Sequence, residues 1–421
     1  MNKVLVVGAG AQGGPCASIL SKEKDVSEII LGDLDVEVAR KVKEKIGSDK
    51  ITPIKLDAAN IADIEKAASG VDVIINLVVT EFDMNIMQAA LNSGAHYVDT
   101  SFGEATSLDI LANDNILAQV IENRPLAFDS DFKKAGLTAL VGCGGSPGEF
   151  NILAKYLCDK LDRVDGIDIR SGYKFLGEPK EVVSEWLPGW SPFRALWGYA
   201  VEPMMFEDGK YKKYPIFAPA GEYDLPEPVG KMALVYHQHQ EPITLPRFIG
   251  KGIKYCYFKY PIDSLAGAFV KMGFHSAEPI DVKGVKVAPN DVLMKLVSHP
   301  VNDFLNENEE SLRKPLQFTY TGNIEVKGAK SGEEITYTLA NPIIPHTTTE
   351  ERLALYRRFG ATGIGVALPA VVGARMCVEG EAEKGTIVAE CLDPVRFLKT
   401  MAGMGVTINL RETCSKRISI S

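Results

Sequence analysis

Residues 3–15, Lys-Val-Leu-Val-Val-Gly-Ala-Gly-Ala-Gln-Gly-Gly-Pro, carry a short apolar strand straight into Gly8-x-Gly10-x-x-Gly13. This spacing constrains the fold more than any other feature of the chain. Gly8 permits a tight turn, and Gly10 lets the backbone approach a pyrophosphate. Gly13 lets the next helix pack closely on the strand, its first amides aimed at the anion. Three glycines alone are weak evidence, since an ordinary strand–helix turn tolerates them. Here the context agrees. A helix-compatible stretch runs from Gln12 to Lys22, and a second strand, from Glu28 to Leu31, ends at Gly32-Asp33. A carboxylate about 20–25 residues past the first glycine is placed to accept ribose hydroxyls. The expected cofactor contacts are therefore Gly8, Gly10, Ala11, Gln12, Gly13 and Asp33. Asp33 should repel a 2′-phosphate, so NAD is expected over NADP. Arg40 and Lys41, nearby, read as solvated helix face.

Strands fit 3–7, 28–33, 51–56, 71–76, 95–99 and 137–142, with helical patterns at about 12–22, 35–46, 60–69, 83–93 and 104–122. This alternation predicts an α/β chain with an N-terminal Rossmann doubly wound parallel sheet over residues 1–142. Its ligand belongs at the carboxyl ends of the strands, near the reversal in strand order. That rule adds Asp57, Asn76, Leu77 and Val78 to the cofactor contacts and draws attention to Asp99, Thr100 and Ser101. Asp57 reads equally well as a helix-start residue, and Asn76 as a strand-end turn residue.

The pattern changes near Asn151. A helix from Phe150 to Leu161 leads into strand-like runs at 164–175, 232–237, 253–260, 316–326 and 334–340, with a long irregular region reaching to about 230. Few crossover helices imply a mixed or antiparallel sheet, hence a central α+β substrate/dimerisation domain over 143–345. Thr347–Phe359 is a capped helix, and 362–380 and 393–404 are two more, so 346–421 reads as a C-terminal helical segment packing back.

A net charge of −9 without any long Lys/Arg cluster speaks against nucleic-acid binding. No apolar run reaches the roughly 18 residues of a membrane span. There is no leader pattern, and the seven scattered cysteines contain no C-x-x-C, so reduced thiols and a cytoplasmic location are expected.

The chain resembles the saccharopine dehydrogenase-like oxidoreductases, which include saccharopine reductase, lysine 6-dehydrogenase and carboxynorspermidine dehydrogenase. The resemblance rests on Gly8-Ala-Gly-Ala-Gln-Gly13, Asp72-Val-Ile-Ile-Asn76, Tyr97-Val-Asp-Thr-Ser101, and Gly142-Cys-Gly-Gly-Ser-Pro-Gly148 followed by Asn151. It continues through Tyr173-Lys-Phe175, Trp190-Ser191, Thr244-Leu-Pro-Arg247 and Glu390-Cys-Leu-Asp393. It implies a Rossmann domain completed by C-terminal helices, a central substrate domain and a homodimer. Phe102 and Ser146 depart from saccharopine reductase, which tends to place a tyrosine and an acidic residue there. Asp33 looks more like the NAD-using lysine 6-dehydrogenase branch.

The implied reaction is hydride transfer at a carbon bearing nitrogen, in an amino-acid or polyamine-like amine. Such an amine, with a pKa near 10, must first lose a proton, so a general base is expected. Asp99 at the end of the fifth strand is the candidate, with Ser101 beside it; turn capping explains Asp99 equally well. Ser146, Pro147, Gly148 and Asn151 form a loop entering a helix, a fair site for a substrate carboxylate, with Glu149 placed to oppose it or to hold an ammonium. Arg247 is the expected bidentate carboxylate clamp, and Tyr173 and Lys174 the expected phenol and ammonium of the pocket; an exposed surface arginine and, for Lys174, exposed strand alternation explain them equally well. His237-Gln-His239 lies in a strand pattern, with both rings on one face and His237 able to shuttle a proton. With Glu241 it resembles a metal tripod. Three such residues along one strand spread over about 13 Å, so a polar substrate wall and no metal is the favoured reading. Trp186 and Trp190 are read as closing over the substrate or anchoring their loop. A homospermidine synthase-like transferase using NAD internally, and a non-catalytic NAD(H) sensor, are the alternatives.

Overall fold

The computed structural model describes residues 1–101, 125–176, 186, 191–297 and 301–418. The chain begins with β1 (Lys3–Val7), α1 (Gly13–Lys22), β2 (Glu28–Asp33), α2 (Val36–Ile46), β3 (Ile51–Lys55) and α3 (Ile61–Ala67). It continues with β4 (Val73–Asn76), α4 (Asp83–Ser93), β5 (His96–Asp99), α5 (Asp129–Ala135) and β6 (Thr138–Val141). The central strands are apolar runs buried on both faces, as a parallel sheet covered by helices requires. Helix ends follow their caps: α2 starts where the Asp35 side chain accepts from Glu37 N and stops at left-handed Gly47. The helix expected at 104–122 lies outside the described residues. α5 is an element that the hydrophobic pattern does not announce, with only Phe132 buried.

After β6 come α6 (Glu149–Cys158), β7 (Arg163–Phe175), α7 (Pro192–Ala200), β8 (Met204–Glu207), β9 (Lys210–Lys213), β10 (Pro219–Asp224) and β11 (Lys231–Tyr236). Then follow α8 (Glu241–Ile249), β12 (Tyr255–Tyr260), α9 (Ser264–Lys271), β13 (Ile280–Val282), β14 (Val285–Val287), α10 (Pro289–Leu296), α11 (Val301–Asn306) and α12 (Glu309–Leu312). β15 (Phe318–Lys330), β16 (Glu333–Asn341), α13 (Thr349–Phe359), α14 (Ala367–Val378), β17 (Gly385–Val388), α15 (Pro394–Gly403) and β18 (Arg411–Lys416) complete it. The region expected to be irregular up to about 230 thus carries α7 and three strands.

The first sheet has the order β17-β6-β5-β4-β1-β2-β3, all parallel. Strand order reverses between β1 and β4, so the ligand crevice opens over their carboxyl ends. The second sheet runs β10-β11-β12-β7-β15-β16-β18, antiparallel except for the β12–β7 pair, with β8 and β9 attached through β12. α14 packs on β4, β5, β6 and α1, and α6 lies against β7 and β15. These two helices join both sheets into one apolar core. The C-terminal segment is more than the helices expected there. It supplies β17 to the first sheet and β18 to the second.

Candidate active site

The glycine loop is shaped by its neighbours. Gly8 has φ 98°, and a Cβ on it would sit 2.9 Å from Val78 Cγ1. A Cβ on Gly13 would sit 1.9 Å from the Gly8 oxygen, so α1 meets β1 this closely only through glycine. A Cβ on Gly10 would meet nothing within 4 Å. The backbone at Gly10 therefore faces an open cradle beside the first turn of α1, which carries no acidic side chain. Next to Ala11, Gln12 at the α1 N-cap has a buried Oε1 without a partner among the described residues. These residues fit a dinucleotide pyrophosphate.

Asp33 Oδ2 accepts from Ala9 N at 2.8 Å, and Oδ1 from Asp35 N at 2.9 Å. The carboxylate is thus pinned beside the glycine loop, and each oxygen keeps a second lone pair for a ribose hydroxyl. Leu77 and Val78 form the loop's other wall, with Leu77 N donating to the Val7 carbonyl at 2.9 Å. Asp57 stands past β3, its Oδ1 accepting from Ala59 N at 2.9 Å. The residue that caps α3 is Asn60.

Beneath this loop a buried network ties three strand ends together. Asn76 Nδ2 donates to Asp83 Oδ1 at 2.8 Å and to Tyr97 Oη at 2.9 Å, while Asn76 Oδ1 accepts from Val78 N at 3.1 Å. Tyr97 Oη donates to Asp99 Oδ2 at 2.8 Å. Asp99 Oδ1 accepts from Gly142 N at 2.7 Å and Ser101 N at 3.2 Å. Two expectations are corrected here. Asn76 has both amide hydrogens and its oxygen engaged inside the protein, so it holds Val78 in place instead of meeting the cofactor. Asp99, 1% exposed, holds the ends of β5 and β6 and has no open face toward a substrate amine. Burial pushes Asp99 up to about 7, against the pull of the Gly142, Tyr97 and Ser101 hydrogen bonds. Burial and then the Asp99 charge push the adjoining Asp83 well above the ordinary aspartate range. Ser101, partly buried, remains at the crevice with its amide fixed.

Past β6 the chain turns through Ser146-Pro147-Gly148. Gly144 N donates to the Pro147 carbonyl at 2.8 Å, and a Cβ on Gly148 would overlap the Gly144 oxygen at 2.0 Å. Pro147 and Gly148 therefore shape the turn, and Ser146 stands at its tip. Ser146 Oγ donates to Glu241 Oε1 and lies 3.4 Å from His239 Nδ1. His239 Nδ1 meets Glu241 Oε2 at 2.5 Å. The Glu241 side chain is fully enclosed, whereas 22% of the His239 side chain is exposed. The imidazole lies flat on Phe258, 3.9 Å between centroids at 11°. Burial alone would raise Glu241, but the His239 charge and the His239 and Ser146 hydrogen bonds hold it below the usual glutamate value. An anionic Glu241 keeps the proton on His239 Nδ1 and leaves Nε2 as the acceptor.

The continuous strand expected through His237 and His239 does not form. β11 ends at Tyr236, and Glu241 opens α8 with Pro242 in its first turn. His239 and Glu241 therefore meet across a turn, a pairing that the Glu241-Pro242 helix-start signal could have indicated. His237 packs against Tyr199 and Tyr260 at centroid distances of 4.6 and 5.4 Å. Burial, and then His239, push His237 down to about 3, which favours the neutral ring near pH 7 and speaks against a proton shuttle there. Among the described residues no group of three His, Cys, Asp or Glu side chains is arranged to hold a metal ion.

Asn151 is also corrected. Its Oδ1 accepts from Gly148 N at 2.9 Å, and its Nδ2 donates to Thr244 Oγ1 at 3.2 Å and Glu390 Oε2 at 3.0 Å. It positions the Ser146 turn and touches no open space. Glu390, singled out only within its closing motif, is enclosed here and pushed by burial up to about 7. Glu149, accepting from Asn341 Nδ2 at 2.7 Å, is likewise raised by burial to about 7.

Tyr173 Oη donates to Asp263 Oδ2 at 3.1 Å on the face of β7 that carries α6. Strand alternation turns Lys174 to the opposite face, where Nζ donates to the Pro228 carbonyl at 2.9 Å, so the two do not share a pocket. Arg247 is exposed in the last turn of α8, with its guanidinium 5.6 Å from the Phe248 ring, at the far end of the helix from Glu241. The cation that does reach the crevice is Arg194 in α7. Its Nη2 donates to Thr80 Oγ1 at 2.6 Å and pairs with Glu81 Oε2 at 2.9 Å, just past β4. Trp186 meets Phe269 edge-to-face at 5.8 Å. Phe102 and Trp190 lie outside the described residues.

A Rossmann crevice with a glycine cradle, beside a histidine–carboxylate pair held between β11 and the start of α8, fits a dinucleotide-dependent oxidoreductase. Residues 4–140 match the family model of the saccharopine dehydrogenase NADP binding domain, and residues 144–406 that of the saccharopine dehydrogenase C-terminal domain. The chain belongs to the saccharopine dehydrogenase family. It is 24% identical over 422 residues to carboxyaminopropylagmatine dehydrogenase of Synechocystis sp., covering 96% of both chains. It is 25% identical over 439 residues to carboxynorspermidine synthase of Vibrio cholerae, covering 97% of both. In structure it is similar to the L-Glu-forming saccharopine dehydrogenase of Saccharomyces cerevisiae (TM-score 0.64, 14% identity, 98% of this chain and 99% of that one). It is also similar to homospermidine synthase of Legionella pneumophila in complex with NAD (TM-score 0.62, 12% identity, 98% and 91%). At these identities the two structures speak for the fold.

Proposed function

We propose that this oxidoreductase acts on the CH–NH or CH–NH2 bond of an amino-acid or polyamine-like amine, with NAD preferred over NADP. The observation that carries the reading is the His239–Glu241–Ser146 cluster at the carboxyl edge of a dinucleotide-binding sheet. The dinucleotide, when bound, supplies or accepts the hydride. The cradle at Gly8, Gly10 and Gly13 and the Asp33 carboxylate would hold it.

In the oxidative direction His239 Nε2 takes the proton of the substrate ammonium, which frees the nitrogen lone pair for imine formation. Glu241 stabilises the resulting imidazolium through Nδ1, and Ser146 fixes the carboxylate. In the reductive direction the same imidazolium returns the proton to nitrogen. The domain division at 142 and 345, a homodimer and a cytoplasmic location remain part of this proposal. Asp33 supports NAD because a 2′-phosphate beside it would face an anion held by two backbone amides.

The test is absorbance at 340 nm with purified protein and NAD or NADP, across lysine, ornithine, other diamino acids, saccharopine and carboxynorspermidine. NADH formation stoichiometric with amine consumed is expected with at least one of these. Amine exchange without net NADH would point to the internal-redox transferase, and tight NADH binding with no turnover to a sensor.

A further inference from the structure

One helix reaches across the crevice. α7 (Pro192–Ala200) belongs to the part of the chain that builds the second sheet, yet it holds residues of both halves of the molecule. Toward its end, Tyr199 packs edge-on against the His237 ring at 4.6 Å, and Tyr199 Oη donates to the Pro261 carbonyl at 2.9 Å. A Cβ on Gly198 would come within 3.1 Å of His237 Nε2, so α7 lies directly on the histidine next to His239. Arg194 stands four residues before Gly198 and therefore on the same face of the helix. From there its Nη2 donates to Thr80 Oγ1 at 2.6 Å and pairs with Glu81 Oε2 at 2.9 Å.

Thr80–Phe82 is a single 3₁₀ turn just past β4. The residues before it are held from within the first sheet: Leu77 N donates to the Val7 carbonyl and Val78 N to Asn76 Oδ1. Val78 in turn walls Gly8. The turn itself has no side-chain cap, and none of its three residues is buried. Its polar hold comes from across the crevice, through one guanidinium. The Arg194 side chain is 12% exposed against 43% for Glu81, so the cation is the enclosed member of the pair. Burial, then the Asp99 charge, raise the next residue, Asp83, and the Arg194 charge works against them.

We propose that Arg194 is a positioning residue for the dinucleotide: by gripping Thr80 and Glu81 from the far side of the crevice it fixes the loop that walls the glycine cradle, and so slows release of the bound cofactor. The inference rests on the dinucleotide-binding reading. Its effect runs through the loop past β4. Because the same face of α7 lies on His237, the seating of the substrate wall and the hold on the cofactor are linked through one helix.

The test needs no substrate. Stopped-flow fluorescence of the full-length protein gives the NADH dissociation rate, and a thermal melt without cofactor reports folding separately. Arg194→Met keeps the stem and removes the guanidinium. NADH should leave this variant roughly ten- to a hundredfold faster, the span of hydrogen bonds to a charged group. The cofactor-free thermal midpoint should stay near wild type, because Glu81 is largely solvated already. Arg194→Lys, which keeps the charge, should recover part of the hold. Glu81→Ala should speed release less, because the Thr80 bond survives, and the double variant should be no faster than Arg194→Met alone. Release from Arg194→Met at the wild-type rate, with or without a lowered midpoint, or losses that multiply in the double variant, would overturn the assignment. Wild-type protein that binds no NADH would sink the dinucleotide reading itself, and the assignment with it.

Discussion

Glu390 offers a sharp test of how burial sets the acids around the site. It is 1% exposed; Asn151 Nδ2 donates to its Oε2 at 3.0 Å, and Oε1 is buried without a partner among the described residues. Burial raises it from 4.5 to about 7, outweighing its hydrogen bonds to Thr244 and Asn151. A carboxyl raised in the folded state binds more protons there than in the unfolded chain between these two values. Its contribution is therefore complete below about pH 4.5 and is lost as pH rises through 7. At 1.36 kcal/mol per unit, the stability lost from pH 5 to pH 8 is about 2.5 kcal/mol. Glu390→Gln keeps an acceptor for Asn151 and cannot ionise. Its stability relative to wild type should therefore rise by about 2.5 kcal/mol over the same interval. Urea unfolding of the cofactor-free protein at pH 5, 6, 7 and 8, followed by tryptophan fluorescence, reads this directly. A wild-type-to-variant difference that stays flat with pH, or that grows in favour of wild type, would refute the reasoning.

Two glycine substitutions should part company. Gly13→Ala forces a carbon to 1.9 Å from the Gly8 oxygen and should lower both thermal stability and NADH affinity. Gly10→Ala meets nothing within 4 Å and should fold as wild type yet bind NADH at least about tenfold more weakly. If both bind alike in fluorescence titration, the cradle is misassigned. Asp33→Ala should shift the NADP-to-NAD ratio of kcat/KM upward by about tenfold or more, and an unchanged ratio would mean the carboxylate faces away from the ribose. His239→Gln should lower kcat by about 10²- to 10⁴-fold with NADH affinity intact. A loss under tenfold would remove His239 from the chemistry.

How far the sequence could be read depended on whether local pattern and tertiary placement agreed. The Rossmann half was legible because its central strands are apolar runs alternating with helical patterns, and because Gly8, Gly10, Gly13 and Asp33 act through backbone geometry that spacing specifies. β17 was not legible. Gly385–Val388 is four residues long and forms a strand because β6 offers it an edge, a fact that lies more than 240 residues away in the chain. The site's side chains were harder still. Strand-end position led to Asp99 and Asn76, but whether a strand-end polar group faces a ligand or its own neighbours depends on the contacts of Tyr97 and Asp83, which no spacing specifies. His239 and Glu241 were visible as residues, yet the assumed strand set them apart. The break at Tyr236 and the start of α8 bring them together.

The burial that encloses Asp99 leaves His239 partly open, which supports the role proposed for His239. Asp99 is enclosed, raised to about 7, and balanced on bonds to Gly142, Ser101 and Tyr97. Taking a substrate proton would need an open lone pair and would weaken the bonds that hold β5 and β6 in register. Glu149 and Glu390 are enclosed in the same way, each bonded to an asparagine. Glu241 is equally buried, but it passes its charge to a side chain that reaches the crevice. Its bond to His239 Nδ1 links a carboxylate that no substrate can touch to a partly exposed ring. In the proposed reaction that ring would take the amine proton that must leave before oxidation and return it after reduction. The enclosed acids then belong to the frame behind the asparagines and turns that surround the Ser146–His239–Glu241 cluster.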